Sequence, residues 1–276
     1  MLHLDWNVVT YWSDQRLIEL TQDVERVRQQ WDEQYRRFDA SSRTGGRPLS
    51  NSILAQTYAR LFHRLAVTQD DLVLDVGCGN GFSSNLLTHR YGCRAVGFDI
   101  AVEGVRIAAA NASALGLSQR TLFLVADAQA LPFRDGALTR IVVCQALGFF
   151  QTQPMLRALR GLLAPSGTLL VTDVAPGWYA SDAASHQVTL QELCEQLSLA
   201  GLRITATGTF GLPLWRLIVR VSYAVLTRVR GPHGRVGRWV VGGMLRLAYR
   251  CTAAEQWMLG RVCNGSHFWV LAVRDG

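Results

Sequence analysis

The chain has 276 residues, of which 49% are hydrophobic and 18% are charged; this composition supplies a sizeable core and excludes a disordered or low-complexity protein. The formal net charge of +7 is unevenly distributed, because 11 Arg and only two acidic residues follow Leu199; an anionic partner is therefore expected in the C-terminal quarter. The sequence contains no Lys, which excludes a Lys base or Schiff-base nucleophile.

Cysteine spacing and hydropathy indicate in which compartment the protein is expected. The six Cys residues are scattered without a Cys-x-x-Cys pair, which indicates reduced thiols and no zinc site. The N-terminus lacks a basic region followed by an apolar run, so no signal peptide is predicted. The longest apolar stretch, 210–227, is interrupted by Arg216 and Arg220 and falls short of the roughly 18 apolar residues of a membrane span. We expect a cytoplasmic protein.

The N-terminal region is predicted to be helical. Apolar residues recur at steps of three and four over 13–38, which is typical of an amphipathic helix. After a break at 41–48, a second helix is expected over about 50–65.

From residue 72 onward, short apolar runs alternate with helical patterns. The predicted strands lie at 72–75, 94–98, 121–125, 140–144, 167–171, 202–209 and 267–273. The predicted helices lie at 82–90, 102–115, 155–163 and 189–200. Strands joined by helical crossovers predict an α/β fold with a Rossmann-like, doubly wound, mainly parallel seven-stranded sheet. A helical insert is expected over 210–263, before the last strand.

Three acidic residues each end one of the first three predicted strands. Asp75 precedes the glycine-rich turn Gly77-Cys78-Gly79-Asn80-Gly81, Asp99 ends the second strand, and Asp127 ends the third. A glycine turn between a strand and a helix lets a ligand approach the backbone closely. An acid directly before that turn suits a cationic ligand and repels a pyrophosphate. Asp99 can accept hydrogen bonds from ribose hydroxyls, and Asp127 from an adenine amino group.

The segment 72–176 resembles class I S-adenosylmethionine-dependent methyltransferases. Besides the turn and the three acids, the motifs 127–133 and 162–170 carry this resemblance, and Asp173-Val174-Ala175-Pro176 resembles the small-molecule, natural-product branch. The resemblance implies S-adenosyl-L-methionine as cofactor, an N-terminal helical lid over 1–66 and a methyltransferase domain over 67–276. The residues it assigns to the cofactor are Asp75, Gly77 and Gly79 (methionine moiety), Asp99 (ribose), Ile100, Asp127 (adenine), Ala128 and Cys144.

The acceptor side departs from the pattern of that branch, which often carries Glu-x-x-x-His after the fourth strand. Here the stretch is Cys144-Gln145-Ala146-Leu147-Gly148-Phe149-Phe150, so Gln145 stands at the acid and the His is missing. Asp173 is then the best remaining carboxylate for a general base, and His186 is a second catalytic candidate. A loop-capping Asp and a surface His are the alternatives.

Three side chains are predicted to contact the substrate: Tyr35 from the lid helix, Gln145 and Phe149. Trp31, Tyr35 and Phe38 also fit a core-facing stripe at helical spacing, and both descriptions can hold for a lid. A nucleophilic role for Cys144 is the less favoured alternative to a buried Cys at a strand end, because cytosine C5-methyltransferases use a Pro-Cys dipeptide and this sequence has Val143-Cys144.

The basic insert places Arg between apolar residues over 214–228 and 235–250. Such helices bind an anionic membrane surface peripherally, bind an anionic substrate, or form a homodimer interface. The leading hypothesis is an enzyme that methylates a small, largely apolar or anionic metabolite at oxygen or carbon. The alternatives are an RNA-modifying methyltransferase, although no RNA-binding module is recognised and nucleic acid is not the expected partner, and a non-catalytic cofactor-binding subunit.

Overall fold

The computed structural model describes residues 22–41, 53–128, 131, 133–176, 188–210 and 267–274. The expected insert helices, the N-terminal part of the first predicted helix and His186 lie outside these residues. Among the residues described, no helix is long and apolar enough to cross a membrane.

A seven-stranded sheet forms the centre of the molecule, with the order β3-β2-β1-β4-β5-β7-β6. Its strands are β1 (Leu72–Val76), β2 (Arg94–Asp99), β3 (Thr121–Val125), β4 (Leu138–Cys144), β5 (Leu163–Val174), β6 (Leu202–Phe210) and β7 (His267–Arg274). The neighbours from β3 to β5 pair in parallel, whereas β7 is antiparallel to both β5 and β6. The predicted seven-stranded, mainly parallel sheet is confirmed.

Helices cover both faces of this sheet. They are α1 (Gln22–Ser41), α2 (Ile53–Phe62), α3 (Phe82–Tyr91), α4 (Val102–Ala114), α5 (Thr152–Leu162) and α6 (Leu190–Leu199), with 3-10 turns at His63–Leu65 and Leu147–Phe149. The α5–α6 side buries Leu156, Leu159 and Leu197 completely. The α2–α3 side buries Phe62 and Leu87. Because the central strands are covered twice, β1 reads as a continuous apolar run rather than an alternating one.

The start of β5 differs from the prediction. Residues 163–166 resemble a helix end followed by a turn, yet β5 begins at Leu163, which pairs with Leu138 of β4. The ladder shifts register between Leu138 and Arg140, and this irregularity accommodates Pro165, which has no amide hydrogen to donate to a ladder. The predicted strand 167–171 is therefore only the inner part of a longer one.

Candidate functional site

The glycine turn after β1 requires glycine for both conformation and space. Gly77, Gly79 and Gly81 have φ values of +67°, +51° and +75°, in the left-handed region that favours glycine. A Cβ on Gly77 would lie 2.6 Å from the Ala146 Cβ, and one on Gly81 would lie 2.8 Å from the Ala108 Cβ. The turn thus brings bare backbone to the carboxyl edge of the sheet, between α4 and the segment after β4.

Asp75 lies beneath this turn rather than at its open side. It is 1% exposed, and its Oδ2 accepts hydrogen bonds from the Ser84 amide at 2.9 Å and the Ser84 hydroxyl at 2.7 Å. Burial raises the pKa of Asp75 to about 6, although the bonds from Ser84 oppose that shift. Asp75 therefore fixes the first turn of α3, and it acts on the site through its charge.

Asp99 ties the glycine turn to α4. Its Oδ2 accepts from the Gly79 amide and its Oδ1 from the Ala101 amide, each at 2.8 Å. Burial raises the pKa of this carboxyl, and the backbone donors oppose the shift. The Ile100 amide also donates to this carboxyl, and since a carboxylate has about four lone-pair positions, it can still accept from a ribose hydroxyl.

The adenine-side residues predicted from the sequence lie at the ends of β2 and β3. The Ala126 amide donates to the Asp99 carbonyl at 3.0 Å, which carries the chain after β3 alongside the end of β2. Asp127 and Ile100 are half-buried, and Ala128 is buried. The structure thus brings the three strand-end acids to one edge of the sheet.

Helix α1 covers this edge. The Tyr35 ring lies in a notch between Gly79 and Gly104, where a Cβ on Gly104 would be 2.9 Å from the Tyr35 Cε2 and a Cβ on Gly79 would overlap the Tyr35 hydroxyl. Burial raises the pKa of Tyr35, and the nearby Asp99 carboxylate adds to the shift. The structure therefore places this predicted substrate contact against the glycine turn.

The lid helix also reaches the segment after β4. The Trp31 and Phe149 rings meet edge to face with centroids 5.1 Å apart, and the Trp31 and Tyr35 rings are 5.7 Å apart. Trp31 and Tyr35 therefore pack as a core-facing stripe would, and their role in a lid stays a prediction. Phe38 belongs to α1, and its side chain lies outside the described part of the structure.

The acceptor edge is built around Asp173. Its Oδ1 accepts from the Val174 amide at 2.7 Å and its Oδ2 from the Leu147 amide at 3.2 Å, so it holds the 3-10 turn that carries Phe149. Burial raises the pKa of Asp173, and the backbone donors oppose that shift. Gln145 is exposed and has φ +55°, an uncommon conformation for a non-glycine residue that is typical of functional sites.

Cys144 lies between the two sides of the site. Desolvation of the thiol raises its pKa, and the carboxylates of Asp75 and Asp173 raise it further. A thiolate is the nucleophilic form of Cys, so this environment favours a protonated packing residue.

His267 is the residue that sequence reasoning missed. It begins β7, pairs with Val174 of β5 and therefore lies at the acceptor edge. Its ring stacks on Phe210, with centroids 4.9 Å apart, and burial lowers its pKa to about 4. In the sequence, His267 is a single His at the start of an apolar strand. That pattern does not distinguish a site residue from a core residue.

Taken together, the described residues offer hydrogen-bond acceptors for a ribose, a bare backbone turn and buried negative charge, which fits an adenosine ligand with a cationic centre. Within the described ranges, no cluster of three or more His, Cys, Asp or Glu is arranged to hold a metal ion.

Part of this site lies in a segment that matches a known domain family. Residues 73–167 match the family described as "Methyltransferase domain". Over 130 residues the chain is 28% identical to Methyltransferase GfsG of Streptomyces halstedii, covering 47% of each protein. Over 141 residues it is 38% identical to demethylmenaquinone methyltransferase of Thermus thermophilus, covering 50% of this chain and 61% of that protein. The chain thus spans about half the length of the curated relatives that it matches.

Two solved structures share the fold over nearly the whole chain. The [4+2]-cyclase SpnF has a TM-score of 0.66 at 19% identity, with 91% of this chain and 96% of the other covered. Geranyl diphosphate C-methyltransferase from Streptomyces coelicolor, in complex with Mg²⁺, geranyl-S-thiolodiphosphate and S-adenosyl-L-homocysteine, has a TM-score of 0.62 at 14% identity, with 92% and 99% covered. At these identities the likeness establishes the fold alone.

Proposed function

We propose that this chain, whose residues 73–167 match a methyltransferase domain, transfers a methyl group from S-adenosylmethionine to a small, largely apolar or anionic metabolite, at oxygen or carbon. The observation that carries the proposal is the Asp99 carboxylate, which accepts hydrogen bonds from the glycine turn and from the start of α4 and keeps acceptor capacity for a ribose. The sulfonium of S-adenosylmethionine supplies an electrophilic methyl group, which is displaced in line by the acceptor.

Each part of the cofactor has a matching group on this edge. Asp99 binds the ribose hydroxyls, Asp127 the adenine amino group, and Ile100 and Ala128 flank the ring. Gly77 and Gly79 keep side chains off the turn where the methionine moiety would bind, with Tyr35 lying over Gly79, and the Asp75 charge beneath the turn favours the cationic cofactor. Much of the rate acceleration then comes from holding the acceptor close to the methyl group with these charges already arranged.

The acceptor side needs a proton acceptor only if the metabolite must lose a proton. We assign that role to Asp173, because it lies at the acceptor edge and burial raises its pKa, which makes it a stronger base than an exposed carboxylate. Gln145 and Phe149 contact the acceptor. Cys144 packs beside the cofactor as a neutral thiol, and His186 stays a predicted second catalytic residue.

The proposed acceptor class rests on two kinds of support. Two aromatic residues lie near the proposed acceptor position, Phe149 in the turn held by Asp173 and Phe210 stacked on His267, which suits an apolar body. One structural neighbour carries geranyl-S-thiolodiphosphate, a ligand with an apolar tail and an anionic head. The Arg-rich segment 210–263 would meet such an anionic group, and peripheral membrane contact or dimerisation through it stays a prediction.

A second candidate function is cofactor binding without methyl transfer. One protein with the same fold is a [4+2]-cyclase, and one fold hosts several activities. This neighbour is the reason to consider the second candidate. The RNA-modifying alternative depends on the basic C-terminal segment and stays a prediction.

The decisive experiment is incubation of the protein with methyl-labelled S-adenosylmethionine and fractionated extracts of the source organism. We expect label in the small-molecule or lipid fraction, and none with the Asp99→Ala variant, while the exposed-site control Asp70→Asn transfers as the wild type does. Label in the RNA fraction would support the RNA-modifying alternative. Binding of S-adenosylmethionine without label in any fraction would favour the non-catalytic candidate.

A further inference from the structure

The contact between α1 and the rest of the molecule centres on a buried carboxylate, Asp32. This residue is 4% exposed, and its Oδ1 accepts a hydrogen bond from the Glu103 amide at 2.9 Å. Glu103 lies in the first turn of α4, where backbone amides have no partner within the helix. The N-cap residue of α4 is Ala101, whose side chain makes no capping bond. Asp32 therefore supplies from another helix the cap that α4 lacks in its own sequence.

Charged groups on both helices complete this contact. The Arg28 guanidinium lies 3.3 Å from the Asp32 Oδ2, so both carboxylate oxygens have partners. The Arg36 Nε lies 3.7 Å from the Glu103 Oε1. Arg36 is exposed, so its pair contributes little, whereas the buried bond from Asp32 to the α4 amide is the stronger connection.

Asp32 and Tyr35 are separated by one turn of α1 and so lie on the same face of that helix. While Asp32 caps α4, the Tyr35 ring fills the notch between Gly79 and Gly104. Gly79 is also the residue whose amide is held by Asp99. The same contact that fixes α1 therefore covers the part of the site where the proposed cofactor meets the glycine turn.

We propose that α1 is the gate for cofactor exchange and that Asp32 is its latch: S-adenosylmethionine enters, and S-adenosylhomocysteine leaves, only when the bond from Asp32 to the α4 amide is broken and Tyr35 leaves the notch. This inference rests on the proposed function. Asp32 touches neither cofactor nor acceptor, so it is a positioning residue.

A gate has a kinetic signature that differs from that of a binding contact. A latch that stabilises the closed state equally with and without cofactor slows entry and exit by the same factor. Weakening it raises the association and dissociation rate constants together and leaves Kd unchanged. Loss of a mere contact, or of local structure, raises the dissociation rate constant and Kd together.

The test measures association and dissociation of S-adenosylhomocysteine by stopped-flow for the wild type and three full-length variants. Asp32→Ala removes the cap and is expected to raise both rate constants by about fivefold to tenfold, with Kd within twofold of the wild type. Asp32→Asn keeps an oxygen for the α4 amide and is expected to stay within about threefold. Gln34→Ala, a change at an exposed residue of the same helix, is the control and should leave both rate constants unchanged.

Hydrogen exchange on the free protein measures the opening of the contact between Asp32 and α4 without any ligand. Asp32→Ala should raise amide exchange in residues 25–36 and in the first turn of α4, while β1 and β4 stay protected, which also verifies that the variant is folded. If the protein bound no S-adenosylhomocysteine, that result would contradict the proposed function. The exchange measurement would still decide whether Asp32 holds α1 on α4. Unchanged exchange in Asp32→Ala, or a rise in the dissociation rate constant matched by an equal rise in Kd, would overturn the proposal.

Discussion

The two halves of the carboxyl edge are constructed differently. On the cofactor half, at β1, β2 and β3, consecutive strands end in acids, and one of them, Asp99, binds two backbone amides directly. On the acceptor half, at β4, β5 and β7, the polar groups come from distant parts of the chain, and His267 pairs with Val174, the neighbour of Asp173, only because β7 runs back beside β5. The first half is set by local geometry and the second by tertiary packing, so substitutions in the two halves should alter different properties.

The largest effect is expected at Asp99. Replacing it with Ala removes two acceptors for ribose hydroxyls, each worth about 1.5–3 kcal/mol as a charge-assisted bond, so affinity for S-adenosylhomocysteine should fall by about a thousandfold. Calorimetry measures this, with Asp70→Asn as the exposed control. An unchanged Kd in Asp99→Ala would show that Asp99 does not bind the ribose.

On the acceptor half, Asp173→Asn should lower kcat by about a hundredfold or more, the usual contribution of a general base, with little change in the KM for S-adenosylmethionine. The wild-type rate should fall as the pH drops below the raised pKa of Asp173, and the Asn variant should lack that acidic limb. Asp135→Asn, at an exposed site, is the control. A variant with wild-type kcat would show that Asp173 only braces the turn at Leu147.

The buried His267 should make stability depend on pH. The unfolded chain protonates this His near pH 6.5, whereas the folded protein resists protonation until about pH 4. The contribution of His267 is therefore fully present above pH 6.5 and is lost as the pH falls towards 4, by about 2–3 kcal/mol in the free energy of unfolding. Denaturant unfolding should show a flatter profile for His267→Asn across this window, and no flattening for the exposed His89→Gln. Parallel profiles for His267→Asn and wild type would contradict this account.

The smallest effect is expected at Cys144, between the two halves. Its thiol is held protonated by desolvation and by two carboxylates, so Cys144→Ser should keep activity within about threefold. Capture of a covalent adduct through Cys144 would reverse this assignment.

The cofactor half could be predicted from the sequence because its chemistry restricts residue type. A positive φ at Gly77 and a close approach to Ala146 admit only glycine, and the ribose site needs an acid at a strand end. These constraints leave a local pattern in the sequence, and the alternation of strands and helices predicts the mainly parallel sheet.

The rest depends on contacts between residues far apart in sequence. Asp32 has the spacing of an ordinary i, i+4 ion pair with Arg28, and only the packing of α1 on α4 makes it a cap. The contact of Tyr35 with the substrate stays a prediction, and its place against Gly79 depends on the notch that Gly104 leaves. His267 carried no motif, since its position follows from the antiparallel return of β7.

The pairing of Phe210 with His267 has a consequence for the tolerance of this fold to insertions. These residues end β6 and begin β7, they are partners in the ladder, and their rings stack. The chain therefore leaves the sheet at Phe210 and rejoins it at His267, two adjacent points. Because the entropic cost of closing a connection between two adjacent points grows only slowly with its length, an insertion between these two residues should leave the register of β6 and β7 unchanged.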